Sequence, residues 1–340
     1  MKILVTGATG FLGAHLTPKL LEAGHTVRII GRSPPPASLA KAEFVAADLM
    51  DRDAVKRALM GVDAVYHLAG FVSFDPKDGR KMYALHVDAT RELLKDVREA
   101  GVKRFILASS SGTTAVSKEE RLGIESDLAP IPVVGKWPYY LSKIYEEQLT
   151  LEYCKKHSLP LVVLNPSLLM GPGDTRMSST WTVLKFLNRD LPAMPNGGIS
   201  FVDVRDAAEA FFQALTRGEL YGKHLMGVNM SMREFFERLE RLSGVAAPRL
   251  RLPSKLNVLG AQLLGKWSKA RGVDAPVDEH SVDIAEHFFY LDASKAEREL
   301  GFHSRDPLET LQATVEFIVS RMPPGSKPGT FGRLAELRGD

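Results

Sequence analysis

Cysteine is nearly absent. Cys154 is the single one in 340 residues, so no disulfide can close within the chain and no cysteine cluster can hold a metal. That usage fits a reducing compartment, and a cytoplasmic location is the expectation. Long hydrophobic runs are missing too. No uncharged stretch approaches the ~18 residues of a membrane-spanning helix. The first residues, Met1-Lys2 followed by Ile3-Leu4-Val5, lack the pattern of a signal peptide. An excess of one charge sign is also wanting: 44 basic against 41 acidic residues leave a net charge of +3. This argues against nucleic acid as the main partner and remains compatible with small anionic ligands.

What is there is the composition of an ordinary globular protein, with 44% hydrophobic and 25% charged residues, long enough for one large domain and a smaller one. Short β-branched runs at 2–5, 26–30, 43–46, 64–67, 104–108 and 161–164 read as strands. Segments 11–23, 53–59, 80–100 and 139–157 have helical spacing between them. Alternating near-continuous apolar strands and helices predicts an α/β fold, a doubly wound parallel Rossmann sheet covered on both faces. After Pro166 the chain breaks into shorter pieces, with helices expected at 201–215 and 231–242. The expected division is a nucleotide-binding domain over 1–165, rejoined by 199–217, and an interleaved substrate-binding lobe over 166–320. Residues 322–340, rich in proline and glycine, are expected to form a flexible tail. The apolar segment around 255–267 is expected to pack within the lobe, since it is short for a membrane-surface helix.

The strongest local signal is Thr6-Gly7-Ala8-Thr9-Gly10-Phe11-Leu12-Gly13, three glycines between a predicted strand and a predicted helix. Gly7 would permit the tight turn, Gly10 the approach of a pyrophosphate, and Gly13 close helix–strand packing. Amides at the helix start, through Thr9, Phe11 and Leu12, would face the phosphates. An acidic residue ending the second strand would hydrogen-bond the ribose of NAD(H) and repel a 2′-phosphate. Here that place holds Gly31, and Arg32 follows, which favours NADP(H) over NAD(H). Asp48 and Leu49, after the third strand, are placed to hold the adenine.

Tyr139 and Lys143 stand four residues apart and project from one helical face. A phenol titrating near ~10 needs a neighbouring ammonium to exchange a proton at neutral pH, so Lys143 is expected to lower the Tyr139 pKa. Tyr140 is the fallback phenol. Upstream, Ser109-Ser110-Ser111 follows a strand end, where a hydroxyl can bind a substrate oxygen.

Together the glycine loop, the serine run and the Tyr139/Lys143 pair resemble the extended short-chain dehydrogenase/reductases, of the NAD(P)-dependent epimerase/dehydratase superfamily. The resemblance continues in Tyr66-His67-Leu68-Ala69-Gly70, Gly171-Pro172-Gly173-Asp174 and the segments 201–208 and 294–301. Trp137-Pro138-Tyr139-Tyr140-Leu141-Ser142-Lys143 and Asn165-Pro166-Ser167 are similar to the dihydroflavonol-4-reductase-like branch. The resemblance implies catalysis by Ser110, Tyr139 and Lys143. It also implies cofactor contacts from Leu68, Ala69, Gly70, Pro166 and Ser167 and hydride transfer to a carbonyl carbon. Phe71, Ser111, Trp137 and Met170 are candidate substrate contacts, and Phe71, Phe74, Trp137, Leu169, Met170 and Trp181 could line an apolar pocket. His86 stands where that family often has Asn. No metal is implied, and a homodimer is compatible. Alternatives are a sugar epimerase or dehydratase, a 3β-hydroxysteroid-type dehydrogenase, or a non-catalytic NADP(H)-binding sensor or scaffold.

Overall fold

A computed structural model describes residues 1–270 and 279–322; residues 323–340 of the expected tail lie outside them. Ten strands are described: β1 (Lys2–Thr6), β2 (Thr26–Gly31), β3 (Glu43–Ala46), β4 (Ala64–His67), β5 (Arg104–Ala108), β6 (Leu161–Pro166), β7 (Leu168–Met170), β8 (Gly198–Asp203), β9 (Lys223–Met226) and β10 (Val228–Ser231). Seven form one sheet in the order β3-β2-β1-β4-β5-β6-β9, all parallel. The chain starts in the middle, winds outward to β3, then crosses to β4 and winds the other way. The α/β Rossmann-type expectation holds. The order reverses between β1 and β4, and the carboxyl ends of the strands there are where sheets of this kind bind ligands.

Burial explains why these runs are strands. Ile3, Val5, Val162 and Leu164 face a core under the helices Phe11–Glu22 and Val204–Gln213. Leu4, Val65, Phe105, Leu161 and Val163 face a second core under Arg52–Leu59, Thr90–Glu99 and Pro138–Lys156. A strand buried on both faces needs apolar residues at every position, which is why alternation is absent.

The strand β9 was not legible: Lys-His-Leu-Met carries two polar residues, and its place at the sheet edge comes from pairing with β6. The helix expected at 201–215 begins only at Val204, because the three residues before it complete β8. That strand pairs with β7 and β10 in a small separate sheet, not in the large one. The helix after it nevertheless returns to pack on Phe11–Glu22. Helix Ser254–Ala270 corrects another expectation. Its buried face carries Asn257, Ala261 and Ser268, while Leu256, Leu259, Leu263 and Trp267 are about half exposed. Periodicity gives the stripe but not its direction. Among the described residues no helix is long and apolar enough to cross a membrane.

Candidate active site

The glycine loop occupies the turn from β1 into helix Phe11–Glu22. Gly7 has φ of +71°, and a Cβ there would lie 2.7 Å from the backbone of Leu68 and Ala69 beyond β4. A Cβ on Gly13 would strike the Gly7 carbonyl and come within 2.6 Å of Ala8 Cα. Both glycines are therefore required by close backbone approach. Gly10 caps the helix without a side-chain hydrogen bond, and no acidic residue sits in the first turn. The amides at that end, with the positive end of the helix dipole, suit a phosphate group. Thr9, Phe11 and Leu12 lie in this turn. Arg32 follows the end of β2 and is exposed, with no carboxylate at Gly31 beside it. Asp48 is exposed, and its Oδ1 accepts a hydrogen bond from the Met50 amide at 3.0 Å; Leu49 is half-buried. Leu68, Ala69 and Gly70 leave β4 opposite the loop, and Ala69 N–H donates to Thr6 Oγ1 at 3.2 Å. These residues fit a dinucleotide laid across the switch point.

Helix Pro138–Lys156 delivers the second group of residues. Pro138 at its first turn costs no hydrogen bond. Tyr139, in that first turn, stands beside Ser110, whose side chain lowers the phenol's pKa. Ser110 Oγ also accepts from Gly112 N–H at 3.2 Å, which fixes its rotamer. Lys143 is buried and donates to the Ala108 carbonyl at 2.8 Å. Ser110, Tyr139 and Lys143 are thus brought together at the end of β5. The serine run is divided by function. Ser109 Oγ donates to the buried Glu147 carboxylate at 2.6 Å, so it is held in the framework. Ser111 is buried and opens a short 3-10 turn.

Lys143 lowers the Tyr139 phenol as expected, but its effect does not prevail. Burial pushes the Tyr139 phenol above its ordinary value and outweighs the opposing effects of the Lys143 charge and the Ser110 hydrogen bond; the Glu146 carboxylate raises it further. Lys143 opposes the rise only in part, since its ammonium forms an ion pair with the wholly buried Glu146. An ammonium already compensated by a carboxylate does less for a nearby phenolate. Tyr140, the fallback phenol, is excluded by its surroundings: its ring lies 5.8 Å from Trp137 and 5.8 Å from Phe289, and burial pushes its phenol far up.

The substrate candidates divide. Phe71 is half-buried in the loop after β4 with Lys81 Nζ 4.4 Å above its ring, and Phe74 packs edge-on to Tyr139 at 6.3 Å. Trp137 and Met170 are core residues. Trp137 is 1% exposed, its Nε1 donates to Asp283 at 3.1 Å, and its ring packs on His287 at 4.9 Å. Met170 is fully buried in the core of the smaller lobe. Each is large and apolar, and sequence spacing does not separate a lining side chain from a core one.

His86 lies on a π-helical segment, Ala84–Ala89, between the helices Gly79–Tyr83 and Thr90–Glu99. Its Nε2 accepts from Phe71 N–H at 3.0 Å, so Nδ1 carries the proton and faces Ser142 Oγ at 2.8 Å. Ser142 in turn donates to the Tyr139 carbonyl at 2.8 Å. Burial, then the Lys143 charge and His67, lower the His86 pKa to about 2, so the ring is neutral. It ties the loop after β4 to the start of the tyrosine helix.

Sequence reasoning missed three polar residues here. Asn165 Nδ2 donates to the Ser110 carbonyl at 3.2 Å and to Glu147 at 2.6 Å, locking the serine's backbone. Glu147 gathers Ser109, Thr113 and Asn165. Glu146 pairs with Lys143. The only signal for Glu146 was its i+3 spacing from Lys143. Pro166 ends β6, and Ser167 is buried beside it.

Comparison with known proteins agrees with this fold. A family model described as the NAD dependent epimerase/dehydratase family matches residues 3–225. A putative dihydroflavonol 4-reductase of Synechocystis is 33% identical over 92% of this chain and 93% of its own. Sterol demethylase protein B of Methylococcus capsulatus is 31% identical over 88% of this chain and 93% of its own. Among solved structures, gox2253 superposes with a TM-score of 0.80 at 28% identity, covering 94% of this chain and 98% of that one.

Proposed function

Since the chain belongs to the NAD-dependent epimerase/dehydratase family, we propose that it is an NADP(H)-dependent reductase of a carbonyl group on a small, largely apolar molecule. The observation that carries the reading is the gathering of Ser110, Tyr139 and Lys143 at the carboxyl end of the sheet, with Lys143 held on the Ala108 carbonyl that ends β5. Residues 1–165, with the helix returning at Val204–Gln213, take the dinucleotide, and residues 166–320 enclose the carbonyl compound. Likeness to a putative dihydroflavonol 4-reductase over most of both chains supports a reductase.

When bound, the nicotinamide supplies a hydride to the carbonyl carbon. The chain's own residues handle the oxygen. Ser110 donates a hydrogen bond to it and positions it beside Tyr139. The Tyr139 O–H bond breaks as the carbonyl oxygen gains negative charge, and the proton moves to that oxygen. Lys143 stabilises the phenolate left behind. It has three N–H donors, of which Ala108 takes one and Glu146 another, leaving one for a ribose hydroxyl. Burial holds the Tyr139 proton in place at neutral pH, the state from which reduction starts. The family's 2′-phosphate choice falls on Arg32, and the loop of Gly7, Thr9, Gly10, Phe11, Leu12 and Gly13 takes the pyrophosphate. Asp48 and Leu49 border the adenine, and Leu68, Ala69, Gly70, Pro166 and Ser167 border the ribose and nicotinamide. Phe71, Phe74 and Ser111 border the substrate.

The test is Tyr139→Phe. With a carbonyl panel followed by loss of reduced-nicotinamide absorbance, turnover should fall by at least about 10²-fold while NADPH still binds by calorimetry. Near-normal turnover in that variant would remove Tyr139 from the chemistry.

A further inference from the structure

A chain of buried polar groups runs behind the tyrosine helix, and the reaction as proposed does not use it. Thr6 Oγ1 accepts from Ala69 N–H, and its own proton points to His67 Nδ1 at 2.8 Å. His67 Nε2 faces Thr90 Oγ1 at 2.9 Å, and Thr90 donates to Glu146 Oε1 at 3.4 Å. Glu146 Oε2 meets the Lys143 ammonium and accepts no other hydrogen bond among the described residues. Thr6, Thr90 and Glu146 are 0% exposed and His67 1%, so no water reaches the chain to screen it. A carboxyl group in such a place costs several kcal/mol unless it is compensated, and a core methylene would fill the space more cheaply. Its one strong partner is the lysine that stands one helical turn from the phenol.

We propose that Glu146 is a positioning residue for the reaction: its buried carboxylate holds the Lys143 ammonium and governs the net charge beside the Tyr139 hydroxyl. The inference rests on the reductase reading above and names its regulation. The groups facing the pair are few. On the same helix they are Tyr139 and Glu147, the latter pinned by Ser109, Asn165 and, at 3.8 Å, by Lys223 of β9. From β4 comes His67, 3.7 Å from Glu146, and from the helices Ala84–Glu99 come His86 and Thr90. Both histidines are neutral, because burial and the Lys143 charge lower His67 to about 3 and His86 to about 2. Glu146 is therefore the carboxyl in contact with Lys143 whose protonation sets the net charge of the pair. Burial raises it to about 7, against the Lys143 charge that lowers it. With the carboxyl protonated Lys143 acts on Tyr139 as a full positive charge; with it ionised the pair is neutral and the phenol ionises at higher pH.

The experiment compares wild type, Glu146→Gln and Glu146→Asp in two readouts. One is the pH profile of kcat for alcohol oxidation with NADP⁺, which requires the Tyr139 phenolate. The other is an ultraviolet tyrosinate titration of the protein without nucleotide, with the Tyr139→Phe curve subtracted. Glu146→Gln should move the Tyr139 ionisation to lower pH by about one unit in both readouts, and Glu146→Asp should restore most of the wild-type position. Glu146→Met, which removes the same charge and leaves an apolar side chain of similar size, should give the same downward shift and serves if Glu146→Gln does not fold. No shift, or an upward one, overturns the proposal. Should Tyr139→Phe retain turnover, the reductase mechanism falls, and the titration without nucleotide alone decides the role of Glu146.

Discussion

At the scale of single residues the site is a competition over one ammonium. Lys143 faces a phenol that needs its charge and a carboxylate that cancels it, and the low-dielectric surroundings make both effects large. Arg32 is the opposite case, exposed and with its charge in water. A single charge-assisted contact to a 2′-phosphate is worth about 1.5–3 kcal/mol. Arg32→Ala should therefore weaken NADPH binding by about tenfold or more and leave NADH binding unchanged, as read by calorimetric titration of both. Equal loss for the two nucleotides would mean that Arg32 does not select between them.

At the scale of elements, the turn after β5 and the start of the tyrosine helix are built against each other. Gly112 has no room for a Cβ, because the Tyr140 ring fills it, and that ring is wedged between Trp137 and Phe289. An aromatic ring held on both sides cannot move aside as a flexible chain would. Gly112→Ala should cost about 1–3 kcal/mol of stability, seen as a lower Tm. It should also reduce turnover, since Ser110 lies two residues before it. A variant with unchanged Tm and turnover would show that the turn has slack. The π-helical segment at Ala84–Ala89 belongs to the same scale: its extra residue per turn brings His86 round to meet both Phe71 and Ser142.

At the scale of the whole molecule, two buried neutral histidines join four elements, and their protonation couples to unfolding. In the unfolded chain each titrates at 6.5; in the folded protein His67 lies at about 3 and His86 at about 2. Below 6.5 the unfolded state binds protons that the native state does not, so stability falls as pH falls. The contribution is full above 6.5 and declines at about 1.4 kcal/mol per pH unit for each ring until the folded value is reached. Chemical denaturation at pH values between 6.5 and 4 should show His67→Asn losing less stability per pH unit than wild type, whatever its absolute stability. An unchanged slope would mean that the ring is already charged in the folded protein.

The sequence by itself determined the large sheet's central strands, the glycine loop, and the pairing of Tyr139 with Lys143, because each follows from local order. A strand buried on both faces must be apolar throughout, a backbone crossing demands glycine, and i, i+4 spacing puts two side chains on one helical face. Only the tertiary structure decided the rest. It placed Trp137 and Met170 in the core, turned the Leu256–Leu263 stripe outward, and set β8 in a separate sheet. It also brought His67 and Thr90 from two distant segments to Glu146, the partner of the lysine. Those outcomes depend on which faces meet across the fold, and a residue's neighbours in sequence carry no information about desolvation, which here raised the phenol that spacing alone had suggested would be acidic.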